Sequence, residues 1–398
     1  MFYSLAFDPS YILSITYFIL VAEIAVDFIV IHHVQYTEID WIAYMQEVEG
    51  VLNGTYDYTF LKGDTGPLVY PAGFVYIFSI LYYITDHGHN IQLAQYIFIV
   101  FHILLLTLVL RIYMKSQKVP PYALFFSCCI SYRIHSIFIL RLFNDPLAML
   151  LFYGSVNLFI ESKWNLGSLF FSLAVSVKMN VLLFAPSILL AYILCLGLKG
   201  TVIQLTICVF TQIFLGIPFI VTNPMAYIKG AFDIGRVFLY EWTVNWRFLP
   251  EHVFKNPYFH AGLLVLHITL LVVLYPLARN CLKTYAILKN KKIQNHKSKL
   301  DINASSQLFL LPLFIANLIG ISCCRSLHYQ FYVWYFHSLP YLLWSTGYPD
   351  ILKLSFLAII EMCWNVFPST SLSSITLLVC HISILLGVLV NPTYKKFS

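Results

Sequence analysis

Apolar runs about twenty residues long, separated by short polar joints, organise this chain of 398 residues. A helix of that length crosses a hydrocarbon core of roughly 30 Å with its backbone groups bonded internally, which open strands cannot do. The pattern predicts twelve spans, over residues 11–31, 91–113, 121–140, 147–160, 165–177, 180–196, 201–221, 259–277, 305–323, 331–347, 350–366 and 372–390. The fifth and sixth are short. Between them the polar break "VKMN" (Val177–Asn180), with Pro186 beyond it, predicts a helical hairpin bent within or at the edge of the membrane. Backbone broken at that depth must face protein or water. The expected fold is all-α, a polytopic membrane protein whose residues 1–398 form a single membrane-embedded domain of about twelve transmembrane helices.

Composition agrees: 60% of residues are hydrophobic, 11% are charged, and the mean hydropathy is +0.77. Soluble domains carry about 25% charge. A net charge of +6 could suit nucleic acid, but the basic residues gather at the joints, most densely in "LKNKKIQNHKSK" (Leu288–Lys299), and no nucleic-acid partner is expected. Short basic loops mark the cytosolic side. If the spans alternate, "RIYMKSQK" (Arg111–Lys118), "ESK" (Glu161–Lys163), "LKG" (Leu198–Gly200), the 278–304 loop and the terminal "KKFS" share that side. The lumenal side then receives a first loop over 32–90, "RLFNDP" (Arg141–Pro146), 222–258, "RSLHYQ" (Arg325–Gln330) and "PSTS" (Pro368–Ser371).

This scheme requires the apolar stretch Pro71–Thr85 to lie at the membrane surface as a short aromatic-rich helix, because a crossing there would invert everything after it. Met1–Ser10 lacks the basic start of a cleavable signal, and the run after it is long enough to remain as a span. Among the nine cysteines, Cys128–Cys129 and Cys323–Cys324 have neither metal-ligand nor redox spacing and read as small core residues. "KKFS" suits either an endoplasmic reticulum retrieval address or a basic end cap. Asn53-Gly54-Thr55 is a glycosylation sequon in the first loop, whereas Asn303-Ala304-Ser305 falls at the cytosolic edge.

Charge is scarce enough that each charged group outside the basic joints is a candidate. In "TEIDW" (Thr37–Trp41), Glu38 and Asp40 sit two apart just past the first span. A carboxylate held by Trp41 and Tyr44 at a membrane surface can serve as a general base; the same pair can also open a surface helix. In "KGDTGPLVYPAG" (Lys62–Gly73), glycines and prolines predict a rigid turn-rich loop, in which Asp64 either binds a hydroxyl or closes a turn. A cationic set comprises Arg133, His135, Arg141, Lys178, Arg236, Arg247, Arg325 and His328, with Asp145 ending the string that holds Arg141. Arginine forks suit phosphate, while polar packing or loop solvation would account for Arg133, His135, Arg236 and Arg247. Glu23 and Asp27 share one face of the first span, for an ion path or for contact with basic residues of other spans. The aromatic run His328–Trp344 suits an interfacial belt or a platform for sugar rings.

Six strings together resemble a known family: "YTEIDWIAYMQEVEGVLNGTYDYTFLKGDTGPLVYPAGFVYIF", "YRIHSIFILRLFNDP", "SVKMNVLLFAP", "WTVNWRFLPE", "RSLHYQFYVWYFHSLPYLLW" and "WNVFPSTSLSS". They are similar to the dolichyl-phosphate-mannose-dependent alpha-1,3-mannosyltransferases that add the sixth mannose to the lipid-linked N-glycan precursor. The likeness runs from about Tyr36 to Ser374. It implies a GT-C-like bundle in the endoplasmic reticulum membrane, with lumenal juxtamembrane helices and the acidic motif in the first lumenal loop. The implied donor is dolichyl-phosphate mannose, and the implied acceptor is the five-mannose, two-GlcNAc dolichyl-diphosphate oligosaccharide. The implied transfer inverts a beta-linked donor to an alpha product, needs no metal or cofactor, and uses Asp40 as base with Glu38 orienting Asp40 or a sugar hydroxyl. Asp64, Arg141, Asp145, Lys178, Arg247, Arg325 and His328 are the candidate substrate-binding residues, and for the phosphate the order is Arg325, Lys178, Arg141, Arg247.

Overall fold

The computed structural model describes residues 6–129, 131–233, 235, 238–291 and 299–391. Arg236, most of the basic segment 288–299 and the terminal "KKFS" lie outside the described residues, as do the side chains of Cys128 and Cys129.

Helices make up almost all of the secondary structure, and the only strands among the described residues are the two-residue pair Lys62–Gly63 and Gly66–Pro67. Among the described residues, six helices are long and apolar enough to cross a membrane: Pro9–His33, Ile91–Ser116, Met179–Thr222, Pro257–Lys289, Asn303–Ser322 and Ser371–Val390. The chain is a polytopic all-α membrane protein. Met179–Thr222 contains two of the expected spans, divided at Gly197, whose φ of +67° is open to glycine and strained for other residues. A further pair, Tyr132–Leu140 and Asp145–Ile160, passes the same length and apolarity test jointly but is bent by 108°.

Elsewhere the expected spans are broken or short. The 121–140 stretch divides into a helix at Pro121–Cys129, a helical turn at Tyr132–His135 and a π-helical turn at Ser136–Leu140. The 331–347 stretch is not a continuous helix either. It runs through 3-10 turns at Tyr329–Trp334 and Phe336–Ser338 into a six-residue helix, Leu339–Trp344. Interior packing explains that break. Tyr332 stacks on Trp364 with ring centroids 5.0 Å apart, and the Tyr335 hydroxyl meets Trp364 Nε1 at 2.7 Å and His381 Nε2 at 2.9 Å. The rings from Phe331 to Trp344 are buried, so this run forms protein core and neither an interfacial belt nor an exposed platform.

Burial separates inner from outer helices. In Asn303–Ser322, 83% of the most apolar stretch is buried; in Pro257–Lys289 the share is 11%. The outer surface carries exposed Phe210, Phe214, Leu264, Val265 and Val272, large apolar side chains suited to lipid tails.

The joints collect at two ends. At one, Glu161 receives Arg111 at 2.5 Å, Lys115 at 2.7 Å and Lys163 at 2.8 Å, while Lys289 donates to the Ile160 carbonyl at 2.7 Å. Three basic joints expected on one side therefore meet in space. At the other end, Thr37 donates to the Leu140 carbonyl at 3.0 Å, Val244 to Leu327 at 2.8 Å, and the Tyr329 hydroxyl to Val366 at 2.7 Å. Asp145 and Glu161 flank the helix Asp145–Ile160, which separates the two groups.

The Ala72–Ile84 helix has 13 residues. At 1.5 Å per residue it is about 20 Å long, short of a hydrocarbon core. It packs against Trp41–Leu52 and against Trp164–Val177. Glycine permits the second contact, because a Cβ at Gly73 would lie 2.0 Å from Ser176 Oγ. Replacing Gly73 by Leu should therefore destabilise the protein by about 1–3 kcal/mol through overpacking, read as a lower melting temperature of the detergent-solubilised protein; an unchanged melting temperature would refute this helix contact.

Candidate active site

The acidic loop connects the first span to the Trp41–Leu52 helix. Glu38 is committed to its structure: one carboxylate oxygen accepts the Ile42 amide at 3.1 Å and the other accepts the Tyr36 hydroxyl. Burial and the negative charges of Glu38 and Asp40 push the Tyr36 phenol up, so it remains a donor. The helix-opening reading is thus correct for Glu38. Asp40 occupies the N-cap, and its backbone carbonyl accepts the Tyr44 amide at 2.9 Å. Its side chain makes no capping bond and instead accepts the Tyr44 hydroxyl at 3.3 Å.

Tyr44 is buried, with Tyr70, Phe74 and Phe78 edge-on at 5.7, 5.2 and 4.9 Å. Burial first, then the neighbouring Tyr70, Asp40 and Asp145, raise its phenol far above the ordinary value. A phenol so placed acts only as a neutral hydroxyl. The same oxygen lies 3.4 Å from Asn144 Oδ1, which also accepts Lys178 Nζ at 3.0 Å. Lys178 completes a pair with Asp145 Oδ2 at 2.7 Å, the two side chains being 11% and 0% exposed. Trp334 Nε1 donates to the other Asp145 oxygen at 2.5 Å. The Tyr44 hydroxyl, with one hydrogen to give, therefore stands between Asp40 and a network of Asn144, Lys178, Asp145 and Trp334.

Local sequence explains each position. Lys178 lies in extended backbone, φ −157° and ψ 130°, between the end of Trp164–Val177 and the 3-10 turn Met179–Phe184. Asn144 and Asp145 begin a helix with Pro146 in its first turn, where a negative charge is favoured by the helix dipole. Aromatic rings roof the pair: Lys178 Nζ lies 5.2 Å from the Tyr70 centroid and 5.4 Å from that of Phe331. Phe331 in turn stacks on Trp334 at 3.8 Å and on His328 at 5.3 Å. Phe238 meets His328 edge-on at 5.3 Å and carries the Arg325 guanidinium over its ring at 5.6 Å.

Arg141 follows Leu140, whose carbonyl holds Thr37, so it is adjacent in sequence to the tether of the acidic loop. Its Nη1 is buried without a hydrogen-bond partner among the described residues, and the same holds for Nε of Arg133. Arg133 lies over the Tyr329 ring at 4.8 Å and repels Arg141. Arg247 is differently engaged. It covers the Tyr240 ring at 4.4 Å and donates to the Tyr240 and Ser369 carbonyls at 3.0 and 3.3 Å, so it is a packed clamp between two segments and not a solvated loop cation. Asp64 is exposed at the tip of the small hairpin, its amide held by Gln46 Oε1 at 2.7 Å.

The structure thus pairs Lys178 with Asp145 directly and brings Asp40 to them through Tyr44 and Asn144, Glu38 and Arg141 through the Thr37 tether, and His328 and Arg325 through stacked rings. Asp64 and Arg247 stand outside that network. Sequence reasoning missed Asn144, Tyr70 and Trp334 as its links. Asn before Asp-Pro was a readable helix-start signal; the two aromatic residues carried none that separated them from their many neighbours.

The model of the ALG3 protein family matches residues 17–374. The chain is 52% identical over 388 residues to the human protein named Dol-P-Man:Man(5)GlcNAc(2)-PP-Dol alpha-1,3-mannosyltransferase, covering 97% of this chain and 88% of that one. It is 47% identical over 447 residues to the Drosophila melanogaster protein named Dolichyl-P-Man:Man5GlcNAc2-PP-dolichol alpha-1,3-mannosyltransferase Alg3, covering 96% and 88%. For the Dictyostelium discoideum protein named as a probable enzyme of the same activity, the values are 44% over 411 residues, 95% and 91%. No solved structure matches.

Because Lys178 and Asp145 are both shielded, removing one leaves a buried charge uncompensated. Lys178→Met should destabilise the protein by about 3–5 kcal/mol, measured as loss of folded, monodisperse protein on heating in detergent. A melting temperature equal to wild type would show that the pair is not buried as described.

Proposed function

The chain belongs to the ALG3 protein family, and from that premise we propose that it transfers mannose from dolichyl-phosphate mannose, in alpha-1,3 linkage, onto the Man5GlcNAc2-diphosphodolichol acceptor. The reaction takes place at the lumenal face of the endoplasmic reticulum membrane, and the bundle crosses about twelve times, some crossings being broken. The end of the bundle that carries Asp40 is the lumenal one; the end where Arg111, Lys115, Lys163 and Lys289 converge is cytosolic.

One observation carries the catalytic assignment: Asp40 stands at a helix start without using its carboxylate as a cap. Its carboxylate takes the proton of the acceptor 3-hydroxyl while that oxygen bonds to the anomeric carbon. The bond from that carbon to the phosphate oxygen breaks, and dolichyl phosphate leaves with the electron pair. Attack opposite the leaving group converts a beta-linked donor to an alpha product. Tyr44 fixes one oxygen of the base, and Glu38 holds the loop.

For the phosphate the geometry favours Arg141 over the other cations. Lys178 is already neutralised by Asp145, and Arg247 is engaged with carbonyls. Arg141 keeps a buried donor available for a charge-assisted bond to the departing oxygen. Arg325 and His328, beside Phe238, are placed to bind the acceptor or the donor head, and Asp64 can meet a sugar hydroxyl only from the hairpin tip. Cations of the chain itself stabilise the leaving group, so the transfer step requires no metal.

With synthetic donor and acceptor in detergent, Asp40→Asn should lower kcat by about 10²–10⁴-fold, the usual contribution of a general base, with melting temperature retained. Turnover equal to wild type would overturn the assignment. Arg141→Gln should reduce kcat by about 10-fold or more, the effect of losing one charge-assisted hydrogen bond, and formation of an unchanged amount of product would move the phosphate elsewhere.

A further inference from the structure

A second polar cluster lies inside the membrane part of the bundle and is not used in the proposed transfer. Glu23 and Asp27, one helical turn apart on the first span, are both fully buried. His135 Nε2 lies 2.7 Å from Glu23 Oε2 and 3.8 Å from Asp27 Oδ1, and His102 Nδ1 lies 2.8 Å from Asp27 Oδ2. Ligand atoms of Glu23, Asp27 and His135 all fall within 4.8 Å of one another.

His135 Nδ1 is 2.7 Å from the Ser131 carbonyl, which only accepts, so Nδ1 carries a hydrogen. In a neutral imidazole the lone pair of Nε2 then points at the Glu23 carboxylate. Two lone-pair groups at that distance repel, and a positive species must lie between them. A proton would meet only part of the demand. Glu23 Oε1 and Asp27 Oδ1 would still be buried without hydrogen-bond partners among the described residues, and two carboxylates would face the one imidazole of His135. An uncompensated charge at that depth is expensive.

We propose that Glu23, Asp27 and His135 form an intramembrane site for one divalent cation of the zinc class. Two carboxylates and one imidazole nitrogen match the donors such ions take, and a 2+ ion cancels both negative charges. The outer partners are those a metal site needs: the Ser131 carbonyl fixes the His135 tautomer, and His102 orients Asp27. At about 2.0–2.2 Å from each donor, the ion requires the His135–Glu23 contact to open by a few tenths of an ångström. The role is structural. His135 is followed by the π-helical turn Ser136–Leu140, and Leu140 holds Thr37 of the acidic loop, so the ion pins the first span to the segment that carries Arg141.

Full-length protein with a streptavidin-binding tag, incubated with excess zinc and desalted, is assayed for metal by mass spectrometry. About one ion per chain is expected in wild type and in Asp40→Asn, with at most about a tenth of that in Glu23→Gln and His135→Asn. Should those variants fail to fold, stripping wild type with a membrane-permeable chelator should lower its melting temperature, and zinc should restore it. Wild-type protein that holds less than about a tenth of an ion of any first-row divalent metal would overturn the site and leave an imidazolium pair in its place.

Discussion

The contact on which the functional end depends is the pair between Lys178 and Asp145, 2.7 Å apart and shielded from solvent. A charge in such a place survives only when it is paired and hydrogen-bonded. Each element near the site is shaped by that demand. The chain must leave helical geometry at Lys178 to bring Nζ inward, a helix must start at Asp145 to present a carboxylate at its positive end, and Trp334 must donate to the second oxygen. Three breaks in regular structure, at residues 141–144, 178–184 and 329–338, therefore converge on one pair. Irregular backbone is tolerated at this depth because it is buried in protein and bonded there.

The placement of Asp40 follows from the same arrangement. Tyr44 reaches both Asp40 and Asn144, so the orientation of the candidate base is linked to the buried pair through a single hydroxyl. Glu38 and the Thr37 amide fix the loop from the other side, against the first span and Leu140. Of the two carboxylates in "TEIDW", Glu38 accepts the Ile42 amide and the Tyr36 hydroxyl, and Asp40 accepts the Tyr44 hydroxyl. Spacing made them look equivalent; hydrogen bonding distinguishes them.

Much of the fold was legible in the sequence because lipid imposes a strong and simple periodicity. The long outer helices fall where the apolar runs do, and the basic joints do meet at one end. What was not legible was interior. Residues 331–347 are as apolar and aromatic as a span, yet their rings pack on Trp364 and His381, which lie far along the chain, so composition could not reveal that the backbone turns there. In the site, charged residues were conspicuous by rarity, and Lys178 and Asp145 were found that way. Their partners Tyr44, Asn144 and Trp334 act through polar tips on common side chains, and only three-dimensional proximity selects them. The anchoring of Arg247 was illegible for a related reason: its guanidinium donates to the Ser369 and Tyr240 backbone carbonyls, which no sequence pattern announces.

Two lipid-borne substrates impose a further constraint on this architecture. Their tails stay in the hydrocarbon layer while their head groups react, so under the proposal that they meet beside Asp40 the reacting centre has to sit at a membrane boundary and be walled by protein. The short Ala72–Ile84 helix helps provide that wall, since it is too short to cross and is packed against the Asp40-bearing helix on one side and the helix ending at Lys178 on the other. Its packing thus ties the helix that begins after Asp40 to the segment that ends at Lys178, so one element of thirteen residues walls both sides of the candidate site.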